Sequence, residues 1–392
     1  MMSPLTEAIP SKTPDAHTYS PGLEGVIAGE SALCLVDEGE AGLRYCGYAV
    51  TDLAESSNFE EVAFLLLHGH LPTRKEQHEF LFQLRKAQKC PDLIETALRL
   101  IPPTAHPMDV LRSAVSLLGL TDSNATDRTR PETVHQAIRL LGQMPLILAT
   151  ACRIAEGKPP REPDPAMSFA ENLLFLLTGR QKDDVAGLMA RVLDVSLILY
   201  AEHEFNASTF AARVTASTLA DLHGAVTAAI ATLKGPLHGG ANEAVAAMLT
   251  DIGSPGQAGK WVHDALQHKQ RIMGFGHRVL KNGDVRSGIM RQYAERLSQA
   301  CGNNCWFDIA TIIERIMREE KGLYPNLDFY TAVAYLLMDI PQNWYTPLFV
   351  CSRLSGWCAH VIEQQDHNRL IRPRARYTGP PPQPYVHIDE RH

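Results

Sequence analysis

Six short stretches set a polar or charged side chain beside a helix break. They are AEHEFNAST with His203, GPLHGGAN with His238, MGFGHRVLKNGDVR with His277 and Arg286, YPNLDFYTA with Asp328, CSRLSGWCAHVIEQ with Arg353, and NRLIRPRARYTG with Arg372 and Arg374. Each has an ordinary structural explanation alone: a histidine satisfying a carbonyl, an aspartate favoured by a helix dipole, arginines in surface ion pairs. Their conjunction suits carbon-acid chemistry on a small dianionic substrate. Arginine forks hold carboxylates, a carboxylate removes a proton, and imidazoles donate to developing oxyanions. In GPLHGGAN, Gly239 and Gly240 leave the backbone bare beside His238, so a ligand is expected to approach closely there. The helix that follows turns its positive end toward the ring and favours the neutral imidazole. GFGH neither follows a clear strand nor completes G-x-G-x-x-G, so it is no nucleotide fingerprint.

The elements that must position these groups read as mainly helical. ALCLVDEGEAGLRYCGYAV is the one convincing β segment, two short alternating runs around a turn with Gly and Asp. Beyond it, NFEEVAFLLLHGHLPT opens with a capping box, Asn58 and Glu61, carries an apolar stripe and stops at Gly69 and Pro72. TRKEQHEFLFQLRKAQ repeats the device with Thr73 and Glu76. IPPTAHP and GKPPREPDP break the helical pattern. Residues 206–235 are rich in Ala, Ser, Thr and Gly, which lets helix backbones approach closely; by itself this favours an intrachain core over a dimer seam.

Composition narrows the partners. The chain has 392 residues, 45% hydrophobic and 21% charged, with a net charge of −7 and no blocks of like charge. That is ordinary for a globular protein and recommends no nucleic acid. An anionic ligand must then be held by a few placed arginines, against a mildly unfavourable field. Eight cysteines in such a chain are no disulfide framework, and the Cys301–Cys305 pair lacks a second ligand pair for zinc, so no metal is expected. No apolar run approaches the length of a membrane span, and the first 21 residues read as a loose polar tail, so a cytoplasmic setting is expected.

At these residues the sequence resembles the citrate synthases. The resemblance runs from GLEGV through FEEVAFLLLHG, HPMDVLRSAVSLLG, NASTF, LKGPLHGGANEAV, IMGFGHRV, NLDFYTA and SRLSGWCAHVIEQ to NRLIRPRARYTGP. It implies a two-domain, mainly α fold with a short N-terminal β-hairpin. After a flexible tail, 1–21, a large helical domain would span 22–238 and be completed by 327–392, with a small helical domain, 239–326, closing over the site. It also implies a homodimer whose seam includes the alanine-rich helices, reversing the preference drawn from composition.

The implied reaction condenses an acyl-CoA with oxaloacetate and hydrolyses the thioester, with no cofactor beyond the substrates. The resemblance makes Asp328 the base, His238 the donor to the enol oxygen, and His277 the group that protonates the oxaloacetate ketone. Arg286, Arg353 and Arg372 would clamp the oxaloacetate carboxylates, with His203 orienting the molecule and Arg372 serving the partner's site. Lys281, Leu280, Gly274 and Gly276 would meet CoA. The chain departs from common relatives at Leu280 (usually Tyr), Val285 (Pro), Cys46 (Arg) and Ala49 (Asp).

Three rivals differ in their demands. A 2-methylcitrate synthase would use propionyl-CoA in the same fold, and one methylene changes binding by only about 1–3 kcal/mol. A helical interaction protein without catalysis would have no use for His238, His277 and Asp328 together. A zinc hydrolase would need an H-x-x-x-H spacing that is missing.

Overall fold

The computed structural model describes residues 19–37, 42–181, 183–276 and 283–391. Near its start, β1 (Cys34–Val36), β2 (Leu43–Tyr45) and β3 (Tyr48–Ala49) form one antiparallel sheet in that order. The expected hairpin is thus extended by a third strand. Cys46 and Gly47 take left-handed φ values of 46° and 89°, which closes a tight two-residue turn and pairs Tyr45 with Tyr48. Such turns match the twist of the strands, and the sequence signal for one is weakened here because Cys46 occupies a position that favours Asn or Gly. The Tyr45 hydroxyl lies 3.2 and 3.0 Å from the carbonyls of Leu199 and Glu202, tying the sheet to the segment that carries His203.

Sixteen α-helices follow among the described residues. The first seven are α1 (Val50–Ser56), α2 (Phe59–His68), α3 (Arg74–Lys86), α4 (Asp92–Leu100), α5 (Pro107–Thr121), α6 (Arg130–Ala155) and α7 (Phe169–Thr178). Next come α8 (Asp184–Tyr200), α9 (Ala207–Ser217), α10 (Leu222–Leu233), α11 (Ala241–Ile252) and α12 (Pro255–Gln267). The last are α13 (Val285–Ala300), α14 (Cys305–Lys321), α15 (Leu327–Leu337) and α16 (Tyr345–Asp366).

Local chemistry sets many of their ends. Thr73 and Glu76 form a reciprocal capping box at α3. At α2 only half of the expected box forms: Asn58 accepts from the Glu61 N–H, while the Glu61 carboxylate turns to the Ser57 hydroxyl at 2.7 Å. Gly69 ends α2 at φ 83°, as its freedom from a Cβ allows. Ala49 precedes α1 as a cap residue with no side-chain acceptor to offer.

α16 runs through the centre, against α2, α6, α8 and α9, and buries Trp357 and Cys358 completely. Truncating a tryptophan at such a site costs about 3–5 kcal/mol. α6, contrary to the reading of apolar runs, is long and apolar enough to cross a membrane by length and composition. Yet 78% of that stretch is buried inside the protein, and Pro145 interrupts it. It is a core helix. α9 and α10 pack on one another and, respectively, on α16 and α5; the small side chains serve this intrachain contact first. One face of α10 (Leu222, Ala225, Val226, Ala229, Ile230 and Leu233) is buried, while Ala231 stays exposed.

Candidate active site

The start of α15 carries Asp328 in its first turn, and the preceding segment is pinned by a glycine-rich one. Asn326 donates its backbone N–H to the Gly274 carbonyl (2.9 Å) and its side-chain amide to the Gly276 carbonyl (3.1 Å). Its side-chain oxygen accepts from the Asp328 N–H at 3.1 Å, capping the helix. Gly276 N–H closes the ladder on the Tyr324 carbonyl. Gly274 sits at φ 81°, where a Cβ would lie 2.7 Å from Val245 Cγ2 and 2.8 Å from Phe329 Cδ2. Glycine is therefore required there for packing, in a segment tied to the helix that bears Asp328. Gly276, at φ 78°, has open space where its Cβ would stand.

The Asp328 carboxyl meets three other elements. Tyr200, the last residue of α8, donates its hydroxyl to Oδ1 at 2.6 Å. Asn242, in the first turn of α11, donates to that hydroxyl at 3.0 Å. Burial pushes the Asp328 carboxyl above its ordinary value, against the Tyr200 hydrogen bond and the charges of Arg286 and Arg353, while Asp284 adds to the rise. Asp328 nonetheless keeps part of its surface open.

Two buried guanidiniums accompany it. Arg286, in the first turn of α13, is held by Asp284 through Nε to Oδ1 (2.9 Å) and Nη2 to Oδ2 (2.8 Å). Burial works against its charge, but the Asp284 carboxylate more than compensates and keeps the group firmly cationic. Asp284 also accepts from the Leu327 N–H at 3.2 Å, so one carboxylate orients both an arginine and the start of α15. Arg353, on α16, donates Nε to the Tyr200 carbonyl at 2.6 Å and lies 4.7 Å over the Phe349 ring. Burial lowers its affinity for a proton, as does Arg286, although the pKa of an arginine starts too high for that to discharge it. These pairings leave guanidinium N–H groups on both arginines for a carboxylate.

His238 stands in the turn between α10 and α11. Its Nε2 lies 3.3 Å from the Ser208 backbone N–H and 2.8 Å from the Ser208 hydroxyl, which in turn accepts from the Trp357 indole at 3.1 Å. A backbone N–H can only donate, so Nε2 is the acceptor and the ring proton sits on Nδ1. Burial, helped by the Arg353 charge, lowers the pKa of His238 to about 4, and the neutral ring follows from these two causes. Gly239 has a different purpose from the one read in the sequence: a Cβ there would lie 2.5 Å from the Leu233 carbonyl oxygen, so its bareness serves packing against α10. Gly240, at φ −80°, has nothing within 4 Å of its missing Cβ and keeps the role of an open neighbour.

The described structure thus brings Asp328, Arg286, Arg353 and His238 into one electrostatic neighbourhood. His203 is half-buried in the link between α8 and α9. Behind it, the buried Glu202 accepts from His360 Nε2 at 2.9 Å. Arg372 is exposed in the extended tail and makes no hydrogen bond or ion pair with the described residues of its own chain. His277, Leu280 and Lys281 lie outside the described residues. All eight cysteines are free, and the described residues hold no group of three or more His, Cys, Asp or Glu fit for a metal. Sequence reasoning missed Tyr200, Asn242, Ser208 and Asp284. A lone phenol ending the apolar run LILY was a signal, since a buried hydroxyl needs a partner.

The family model described as citrate synthase, C-terminal domain, matches residues 22–374. Citrate synthase 2 of Bacillus subtilis (strain 168) is 44% identical over 375 residues, covering 95% of this chain and 100% of its own. The citrate/2-methylcitrate synthase of the same organism is 42% identical over 363 residues, covering 92% and 97%. A solved ternary complex of carboxymethyl coenzyme A and oxaloacetate with citrate synthase from the archaeon Thermoplasma acidophilum superposes with a TM-score of 0.88 at 36% identity. The match covers 95% of this chain and 100% of that one.

Proposed function

The chain belongs to the citrate synthase family, and from that membership we propose that it condenses acetyl-CoA with oxaloacetate and water to give citrate and CoA. The observation that carries the reading is the meeting of a half-buried carboxyl, its affinity for a proton raised, with two buried guanidiniums and a neutral imidazole. Arg286 and Arg353 hold the carboxylates of oxaloacetate by forked hydrogen bonds, with Arg372 contributed by a partner subunit and His203 orienting the molecule. Asp328 takes a proton from the methyl carbon of the acetyl group. The enol oxygen that forms is held by the Nδ1–H of His238, which gives the neutral ring its purpose: a donor poised without bringing a cation. The enol carbon then attacks the ketone of oxaloacetate, whose oxygen takes a proton from His277. Water cleaves the resulting thioester, and CoA leaves as the thiol.

Gly274, Gly276, Leu280 and Lys281 are the proposed CoA contacts. The parts 22–238 with 327–392, and 239–326, are proposed to close over the substrates. No cofactor enters the scheme, and the eight free thiols support a cytoplasmic setting. The kinship with a citrate/2-methylcitrate synthase supports a second reading, in which propionyl-CoA is also accepted. Thiol release measured with oxaloacetate and either acyl-CoA tests both. Citrate and free CoA should form from acetyl-CoA, and kcat/KM for the two thioesters ranks the readings. No release from either thioester by the folded protein overturns the proposal.

A further inference from the structure

We infer that Tyr200 is the positioning residue of the site, fixing one oxygen of Asp328 with its hydroxyl while its carbonyl holds Arg353 and its ring packs on the Phe349 ring over which that guanidinium lies. The inference rests on the proposed role of Asp328 as the base. A phenol has one proton, and an ionised carboxylate can only accept, so the hydroxyl at 2.6 Å must point its hydrogen at Oδ1. The lone pair left over then faces Asn242, a residue 2% exposed, whose amide donates to it at 3.0 Å. With the phenol held from both sides, Oδ1 is committed and Oδ2 is left to take the substrate proton.

The same residue sets the anion clamp. Its carbonyl receives Arg353 Nε at 2.6 Å, and its ring lies 4.3 Å from Phe349, over which the Arg353 guanidinium sits. Base and clamp are therefore referred to one residue at the end of α8. Burial pushes the Tyr200 phenol well above its ordinary value, helped by the Asp328 charge, so it stays a fixed donor throughout the working pH range.

The groups facing Asp328 come from every neighbouring helix. α8 supplies Tyr200, α13 the Asp284–Arg286 pair, and α16 Arg353. Tyr335 of its own helix is occupied with the Ser196 hydroxyl at 2.9 Å. α11 presents the uncharged Asn242, while its Glu243 accepts from the Thr346 N–H at 3.1 Å. Glu314 of α14 is engaged with Tyr330. Tyr200 is thus the neutral donor that stabilises the ionised base, beside two fixed cations.

Hydrogen bonds to a charged group change an equilibrium about ten- to a hundredfold, or about one to two pH units. In Tyr200→Phe the ring and carbonyl remain and only the hydroxyl is lost. The acid limb of kcat/KM against pH should move up by about one to two units and kcat should fall about tenfold, while KM for oxaloacetate changes less than about twofold. Site-specific 3-fluorotyrosine at position 200, a stronger donor of the same shape, should move the limb to lower pH. Unmoved limbs in both variants overturn the role of Tyr200 while leaving the wild-type activity standing. A wild-type protein that releases no thiol overturns the enzymatic reading itself, and this inference with it. If Tyr200→Phe does not fold, the fluorotyrosine variant decides alone, by a downward shift or none.

Discussion

At Asp328, the balance of burial against Tyr200, Arg286 and Arg353 leaves the carboxyl above its ordinary value. A general base contributes about 10²–10⁴ to the rate, so Asp328→Ala should lower kcat by at least that factor. The arginine clamp is untouched, and oxaloacetate binding followed by calorimetry should persist. A variant that keeps most of its kcat removes Asp328 from the role. His238 is balanced the other way. Its pKa falls from about 6.5 in the unfolded chain to about 4 in the fold, so below pH 6.5 the unfolded state binds the extra proton first. The stability present above pH 6.5 is therefore lost as pH falls through 4, by about 3 kcal/mol at most. Urea unfolding of wild type and His238→Gln between pH 7 and 4 checks this: the wild type should lose stability relative to the variant across that window. Parallel curves would mean that the ring is not held neutral by its surroundings.

Between elements, the turn from α10 to α11 separates two glycines that look alike in the sequence. Gly239→Ala puts a methyl 2.5 Å from the Leu233 carbonyl, and backbone must yield, at a cost of about 1–3 kcal/mol and with His238 displaced. Gly240→Ala meets open space at a φ of −80° and should be neutral or stabilising by up to about 1 kcal/mol through the unfolded chain. Thermal unfolding and kcat of the two variants should therefore diverge; equal behaviour would refute the packing role of Gly239. Sequence reasoning could not separate them, because the atom that matters belongs to Leu233 and arrives by the chain folding back. The same limit explains other misses. The Thr73 and Glu76 box was legible since both partners lie in one turn, whereas Glu61 found a hydroxyl at Ser57 outside the expected pattern. The third strand hid behind a turn with Cys46 in the left-handed region. Asp328, His238 and Arg286 were legible as residue types beside breaks, whereas Arg353, read the same way, lies well inside α16. Their partners were not: Tyr200 is 128 positions from Asp328, and Ser208 30 from His238.

Over the whole molecule, the mainly α architecture with its small sheet was legible from periodicity and from resemblance, and the family's matches span nearly all of the chain. The single chain leaves the proposed site short of one cation: Arg372 lies exposed in an extended tail after α16, where Pro373 stiffens the backbone. Such a tail can cross a two-fold seam, and α9 and α10, which present small side chains beyond their buried faces, offer one. The alternative is that Arg372 acts in its own subunit or not at all. A mixed dimer of an Arg372→Leu chain with an Asp328→Ala chain separates these cases. With Arg372 acting across the seam, each heterodimer has one doubly defective site and one intact site. Random mixing makes about half of the dimers mixed, so about a quarter of wild-type site activity should return in a C₂ assembly. With Arg372 acting within its own subunit, both sites of every heterodimer carry a defect and nothing returns. Each variant must be inactive alone, and the chains must be co-expressed so that they exchange. Verified heterodimers without recovered activity would refute the shared site, while recovery near a quarter would make the dimer itself the catalytic unit.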